Sequence, residues 1–204
     1  PTSTLFPYTT LFRSTAMAQT HDLSQGDIQA FKDRIGEMID MFQNNLSILG
    51  SKTQPLKVKQ VYKKNVFHLF IGEAEAYKDE KGQQHSPVTT QVSSIRNGNI
   101  QKKVITLKQY LNNLVNLGYA KVEITNAETY RISNIYKVGD HYEATATIFQ
   151  KFCGYNGDGQ KIYCDTTTKN MRIYIIPESD AVLGKHWSVK LGNIEVDRKS
   201  TRLN

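Results

Sequence analysis

The sequence predicts an α+β domain, a curved antiparallel sheet (cone-like) covered by three helices, in the order α-α-β-β-α-β-β-β-β. Three observations carry this. Apolar residues recur at three- and four-residue steps from Ser24 to Leu49, the period of an amphipathic helix. The second half of the chain instead alternates apolar and polar side chains over long runs, the period of a half-buried strand. Short Gly- and Asp-bearing segments join those runs, and short connections permit antiparallel neighbours only.

The first helix carries Ile28, Phe31, Ile35, Met38, Ile39, Phe42, Leu46 and Leu49 on one stripe. Ser24 and Asp27 have the spacing of an N-terminal cap, and Gly50 is the stop. A second helix opens at Thr53-Gln54-Pro55 and runs to about Phe70, Pro55 being tolerated in a first turn. Its expected apolar face is Val58, Val61, Tyr62, Val66 and Leu69, with Lys57, Lys59, Lys63 and Lys64 turned to solvent. Two strands follow, about 71–78 and 88–96, around a turn-rich 79–87. Thr106 and Gln109 then cap a third helix with Leu107, Tyr110, Leu111, Leu114 and Leu117 on its stripe and Gly118 beyond its end. Four strands close the chain, about 120–138, 141–154, 161–177 and 186–196, turning at 138–141 and 156–159.

The 204 residues are 39% hydrophobic and 22% charged, enough to bury one core. No apolar run is long enough for a transmembrane helix. Both ends read as foreign to the domain. Thr4 to Ser14, TLFPYTTLFRS, is a translation of a common short-read sequencing adapter, and Asp197 to Asn204, DRKSTRLN, is a translation of its counterpart. Residues 1–14 and 197–204 are therefore expected to be reagent-derived. Arg13 at one end and a net +2 at the other account for three of the seven formal charges, leaving +4. That weakens any electrostatic case for a nucleic-acid partner. Ala16-x-Ala18 has the small-x-small pattern of a signal-peptidase site. Residues 15–22 thus read as an export remnant and spacer, residues 23–196 as a single domain, and the location as periplasmic or cell-surface.

The helix pair, the segment LNNLVNLGYAKVEI and the long runs YRISNIYKVGDHYEATATIFQKF, KIYCDTTTKNMRIYII and WSVKLGNIEV resemble a nuclear transport factor 2-like (SnoaL-like) domain. The resemblance covers about Leu23 to Val196. More narrowly, FIGEAEAY, TTQVSSI and YLNNLVNLGY are similar to an N-terminal domain of exported proteins from gram-negative gut anaerobes. It implies a cone whose pocket serves catalysis in some members, binding in others and neither in the rest. It implies no particular reaction.

Cys153 and Cys164 flank the 156–159 turn. If Asp158-Gly159 were a two-residue turn, the two would stand directly opposite, within reach of a disulfide. Against that, such a pair would be hydrogen-bonded and more widely spaced, and a four-residue turn at 156–159 would shift the register. A disulfide is the expectation; two free thiols are the other reading. The glycines of this turn lie between strands, not ahead of a helix, so they form no phosphate cradle. Histidines His21, His68, His85, His141 and His186 show no metal-ligand spacing, and no nucleophile triad assembles from spacing. No catalytic set, cofactor or metal site is expected. Tyr62, His68, Tyr130 and Asn134 are the candidates for a ligand pocket, with Asp165 or Glu143 as an inward carboxylate beside His68. The expected function is a non-catalytic exported binding or interaction module, the N-terminal part of a larger protein, serving a downstream domain or an envelope component. The alternative is a small-molecule or enzymatic SnoaL-like pocket. The sequence assigns no oligomeric state.

Overall fold

A computed structural model describes residues 23–200 except 80, 97–98 and 183. The export remnant, the first adapter-like segment and residues 201–204 lie outside the described residues. Helix α1 (Gln25–Gly50) begins at a full capping box: the Ser24 hydroxyl accepts from the Asp27 N–H, and the Asp27 carboxylate accepts from the Ser24 N–H. Its stripe from Ile35 to Leu49 is fully buried. Helix α2 (Leu56–Leu69) starts one residue after Pro55. Its buried side differs from the expected one. Val61 is 57% exposed, whereas Lys59 lies with its stem buried and its Nζ donating to the Val115 carbonyl. An apolar stem with a polar tip can fill a core-facing position that hydropathy alone assigns to solvent. Burial, with Lys52 nearby, holds the Lys59 pKa below the ordinary lysine range.

The expected strand at 71–78 is mostly a 3₁₀ turn, Ile71–Ala74, in which Gly72, Glu73 and Ala74 have positive φ. Only a small hairpin follows it, β1 (Tyr77–Lys78) with β2 (Gln84–His85). The strand expected at 88–96 is β3 (Thr89–Arg96), and its partner is an unforeseen strand, β4 (Asn99–Thr106). Helix α3 (Leu107–Val115) follows, its N–H at Gln109 bonded to the Thr106 hydroxyl. The long strand expected at 120–138 is broken into β5 (Lys121–Asn126), β6 (Arg131–Ile132) and β7 (Tyr136–Val138), all pairing with β8 (His141–Tyr155). β9 (Lys161–Asp180) and β10 (Gly184–Ser200) complete the chain. β10 runs four residues past the boundary expected at 196, its backbone pairing as far as Ser200 with Thr166.

The eight-stranded sheet has the path β4-β3-β10-β9-β8-β5, with β6 and β7 beside β8, and it is open rather than closed. It is also mixed rather than wholly antiparallel. β3 and β10 meet in parallel at Thr90 and Ile194, which the long intervening chain permits. The fold is thus α+β, with three helices and a mixed sheet.

Helix α1 is stitched to the edge strand β5. The Ser47 hydroxyl accepts from the Ile124 N–H, the Ser51 hydroxyl accepts from the Val122 N–H, and the Gln43 amide donates to Asn126. Four helical residues rise about 6 Å and two strand residues about 6.8 Å, so positions 43, 47 and 51 keep step with 126, 124 and 122. The seam satisfies backbone donors that an edge strand otherwise leaves open.

Two stability outcomes follow from this architecture. Ser51→Ala leaves the Val122 N–H without its acceptor in a buried setting, and urea unfolding should show a loss of about 1–3 kcal/mol. Cys153 and Cys164 form a disulfide across eleven residues of sequence separation. Replacing both by Ala should lower stability by about 2–3 kcal/mol, the loop-closure value for so short a ring.

Candidate functional site

The register of β8 against β9 builds the site. From Tyr142 with Ile175 to Gly154 with Tyr163 every partner stands directly opposite, so even residues of β8 and odd residues of β9 share one face. Ala144, Ala146 and Ile148 face Met171 and Ile173 there, all fully buried. Towards the β8–β9 turn the same face becomes polar, with Gln150 and Phe152 on β8 and Tyr163, Asp165, Thr167 and Lys169 on β9. Over this half a cavity of about 430 Å³ opens between the sheet and α3, whose Tyr110, Asn113 and Leu114 line it.

Two of its side chains are buried polar groups with little to hold them. Gln150 is 5% exposed, and its amide nitrogen has no hydrogen-bond partner among the described residues. Lys169 is 8% exposed, and its Nζ lies 5.5 Å from the centre of the Tyr110 ring. Among the described residues it has no carboxylate within salt-bridge distance. Burial pushes the Lys169 ammonium down to about 8, with Asp165 opposing the change in part. Burial likewise pushes the Tyr110 phenol up to about 12, and Asp165 adds to it. Asp165 itself accepts a 2.8 Å hydrogen bond from the Tyr163 hydroxyl. Tyr119, Phe152 and Tyr163 form one aromatic corner, with centroids 5.8–6.4 Å apart. Gly154 makes room for it, since a Cβ there would stand 2.5 Å from the Tyr119 ring.

The disulfide braces this end from the opposite face of the sheet. Cys153 and Cys164 are direct partners with a Cα separation of 4.2 Å, the close spacing of a non-hydrogen-bonded pair. The turn is not the two-residue one. The Asn156 N–H bonds to the Gln160 carbonyl, and Gly159 takes φ +79°. The turn's additional residues are offset by a bulge between Gly154 and Tyr155. The two irregularities cancel, and the cysteines stay opposed.

None of the four pocket candidates lines the cavity. Tyr62 is half-buried on α2 against the core. His68 is exposed and bonded to Glu73 at 2.9 Å. Tyr130 packs over Gly36 of α1, its pKa raised by burial and by Asp40, Asp33 and Glu37. Asn134 is exposed between β6 and β7. The two inward carboxylates also part company. Asp165 lines the cavity, but Glu143 lies on the other face, bonded to Arg172 at 2.7 Å, His141 at 3.2 Å and Tyr136 at 3.3 Å. An odd residue of β8 has to point that way. Gln150, Thr167, Lys169 and Tyr110 were not foreseen as site residues. The alternation Tyr163-Asp165-Thr167-Lys169, running directly into Met171-Ile173-Ile175, is the signal that marks them.

Among the described residues no group of His, Cys, Asp and Glu could hold a metal ion, and no helix is long and apolar enough to cross a membrane. No family model matches the chain, no curated protein matches it, and no solved structure matches it.

The lysine gives a stability test with a definite sign. The unfolded chain binds the Lys169 proton at its ordinary 10.5 and the folded chain at about 8. Unfolding therefore takes up a proton between these values, and stability rises with pH across that window, by up to about 3 kcal/mol. Lys169→Met should be more stable than the native chain at pH 7 and should lack that rise. Denaturant titrations of both proteins at pH 7 and pH 10 measure it.

Proposed function

We propose that this chain is a non-catalytic binding domain of an exported protein, built as a nuclear transport factor 2-like cone, and that it holds a small organic molecule between α3 and the polar half of the β8–β9 face. The observation that carries this reading is the pair of Gln150 and Lys169, both more than nine-tenths buried and both lining the cavity, the Gln150 amide nitrogen without a hydrogen-bond partner and the Lys169 ammonium held by the Tyr110 ring without an ion pair among the described residues. Burying such donors unpaired is unfavourable, and a bound molecule is the simplest group to relieve it. The cavity lies in the range of small-molecule sites, and its wall mixes aromatic rings with a few polar atoms.

Binding rather than turnover is favoured by what surrounds the polar groups. Among the described residues no histidine lines the cavity, and the one carboxylate that does, Asp165, already accepts from Tyr163. The conical reading is supported by the helix pair, the β3–β4 pair, α3 and the run of long strands β8, β9 and β10, once the short β1, β2, β6 and β7 are set aside. Export is supported by the disulfide, which persists in an oxidising compartment.

A fragment screen observed through backbone amide NMR tests the proposal. Binding fragments should move the amides of Tyr110, Asn113, Gln150, Thr167 and Lys169 together. A screen in which no fragment moves them, or in which shifts gather on the outer face around Glu143, would overturn it.

A further inference from the structure

Resting on that reading, we infer that the ligand is a monocarboxylate with a planar or apolar body, its carboxylate seated between Lys169 and Gln150. In the β8–β9 register Gln150 stands opposite Thr167 and Ile148 opposite Lys169. Gln150 and Lys169 are therefore diagonal neighbours on one face, roughly 7–8 Å apart at the backbone. An amide and an ammonium at that spacing converge on a single acceptor group. A carboxylate offers two oxygens, one to each donor, and its charge compensates a cation that the fold leaves without an ion pair.

The rest of the wall sets the remainder of the molecule. Asp165 lies two positions further along the strand from Thr167, on the same face. A second anionic group on the ligand would meet that carboxylate at close quarters, which selects one carboxylate over two. Beyond it, Phe152, Tyr119 and Tyr163 present aromatic surface, and Leu114 and Leu117 close the α3 side. Rings and side chains of this kind suit a flat hydrocarbon body. The titratable groups facing Lys169 are Asp165 and Tyr163 from its own strand, Tyr110 from α3 and Tyr119 beyond it. The Lys169 ammonium, held down to about 8 by burial, loses its charge as the medium passes from neutral to mildly alkaline. Binding a carboxylate should therefore weaken as pH rises from 7 to 9.5.

Calorimetry of the full chain with 2-naphthoate, 2-naphthamide and 2-naphthylmethylamine tests the inference, since the three share one body. At pH 7 the carboxylate should bind about tenfold or more tighter than the amide. Lys169→Met should weaken the carboxylate by about tenfold and leave the amide within about twofold. Gln150→Leu provides a second variant, expected to weaken the carboxylate by a smaller factor. If the amine binds best, or the amide equals the carboxylate, or Lys169→Met leaves the carboxylate unchanged, the carboxylate inference fails and the pocket stands. If none of the three binds and none moves the amides lining the cavity, the pocket reading falls with it.

Discussion

The unbroken register between β8 and β9 is the constraint on which the rest of the molecule depends. Side chains alternate faces along a strand, so a slip of one residue would exchange the two faces completely. Ile173 and Ile175 would leave the core, Arg172 and Tyr174 would enter it, and Lys169 would leave the cavity. Three devices hold the register. The 156–159 turn and the Gly154–Tyr155 bulge offset one another. The Cys153–Cys164 bond forms only when those residues are opposed. On the outer face Arg172 reaches Glu143 from a diagonal position. The disulfide thus specifies an alignment as well as restricting the unfolded chain.

The second constraint is at the sheet's edge. β5 is a short strand whose outer N–H groups would be open to another chain. Helix α1 and its C-cap supply the acceptors, Ser47 and Ser51, while Gln43 ties down Asn126. These residues interrupt an otherwise apolar helix face. Their spacing of four matches the two-residue repeat of a strand closely enough for the seam to run the length of β5. That seam fixes how α1 lies on the sheet, and so fixes which of its residues reach the core.

Periodicity made the three helices legible, and in α1 and α3 the capping residues marked the starts correctly. The long strands were legible from alternation, and the cysteines from their symmetric placement about a turn. β4 was hidden because Gln101, Lys102 and Lys103 blur its alternation, as charged residues on an edge strand do. The Asn97-Gly98 dipeptide ahead of it is nonetheless a hairpin signal. The parallel contact of β3 with β10 joins residues about a hundred positions apart, a pairing no local pattern encodes. The cavity lining was hard to read for a related reason. Tyr62, His68, Tyr130 and Asn134 are residue types suited to a pocket, but this cavity is lined by the residues that share one face of the sheet beneath α3. For β9 that set was present in the alternation and ended in a lysine.

One face of one strand pair therefore carries two incompatible environments. From Met171 to Ile175 it is a close-packed, buried core; from Lys169 back to Tyr163 it holds a cation, a carboxylate and hydroxyl groups. A sequence selected for stability alone would continue the apolar run, because a buried lysine without a carboxylate partner is costly. An unsatisfied Gln150 amide beside it adds to that cost. Departures from local consistency of this kind concentrate where a protein does something other than fold. Here the departure begins between Ile148 and Gln150 on β8 and between Met171 and Lys169 on β9, one inward position earlier on β9, so that Lys169 stands opposite Ile148 and diagonal to Gln150. It coincides with the place where α3 stands off the sheet and leaves a cavity. The polar set of the two strands thus lies together on one face beneath α3, and the close-packed apolar half beside it fixes the backbone that carries those donors.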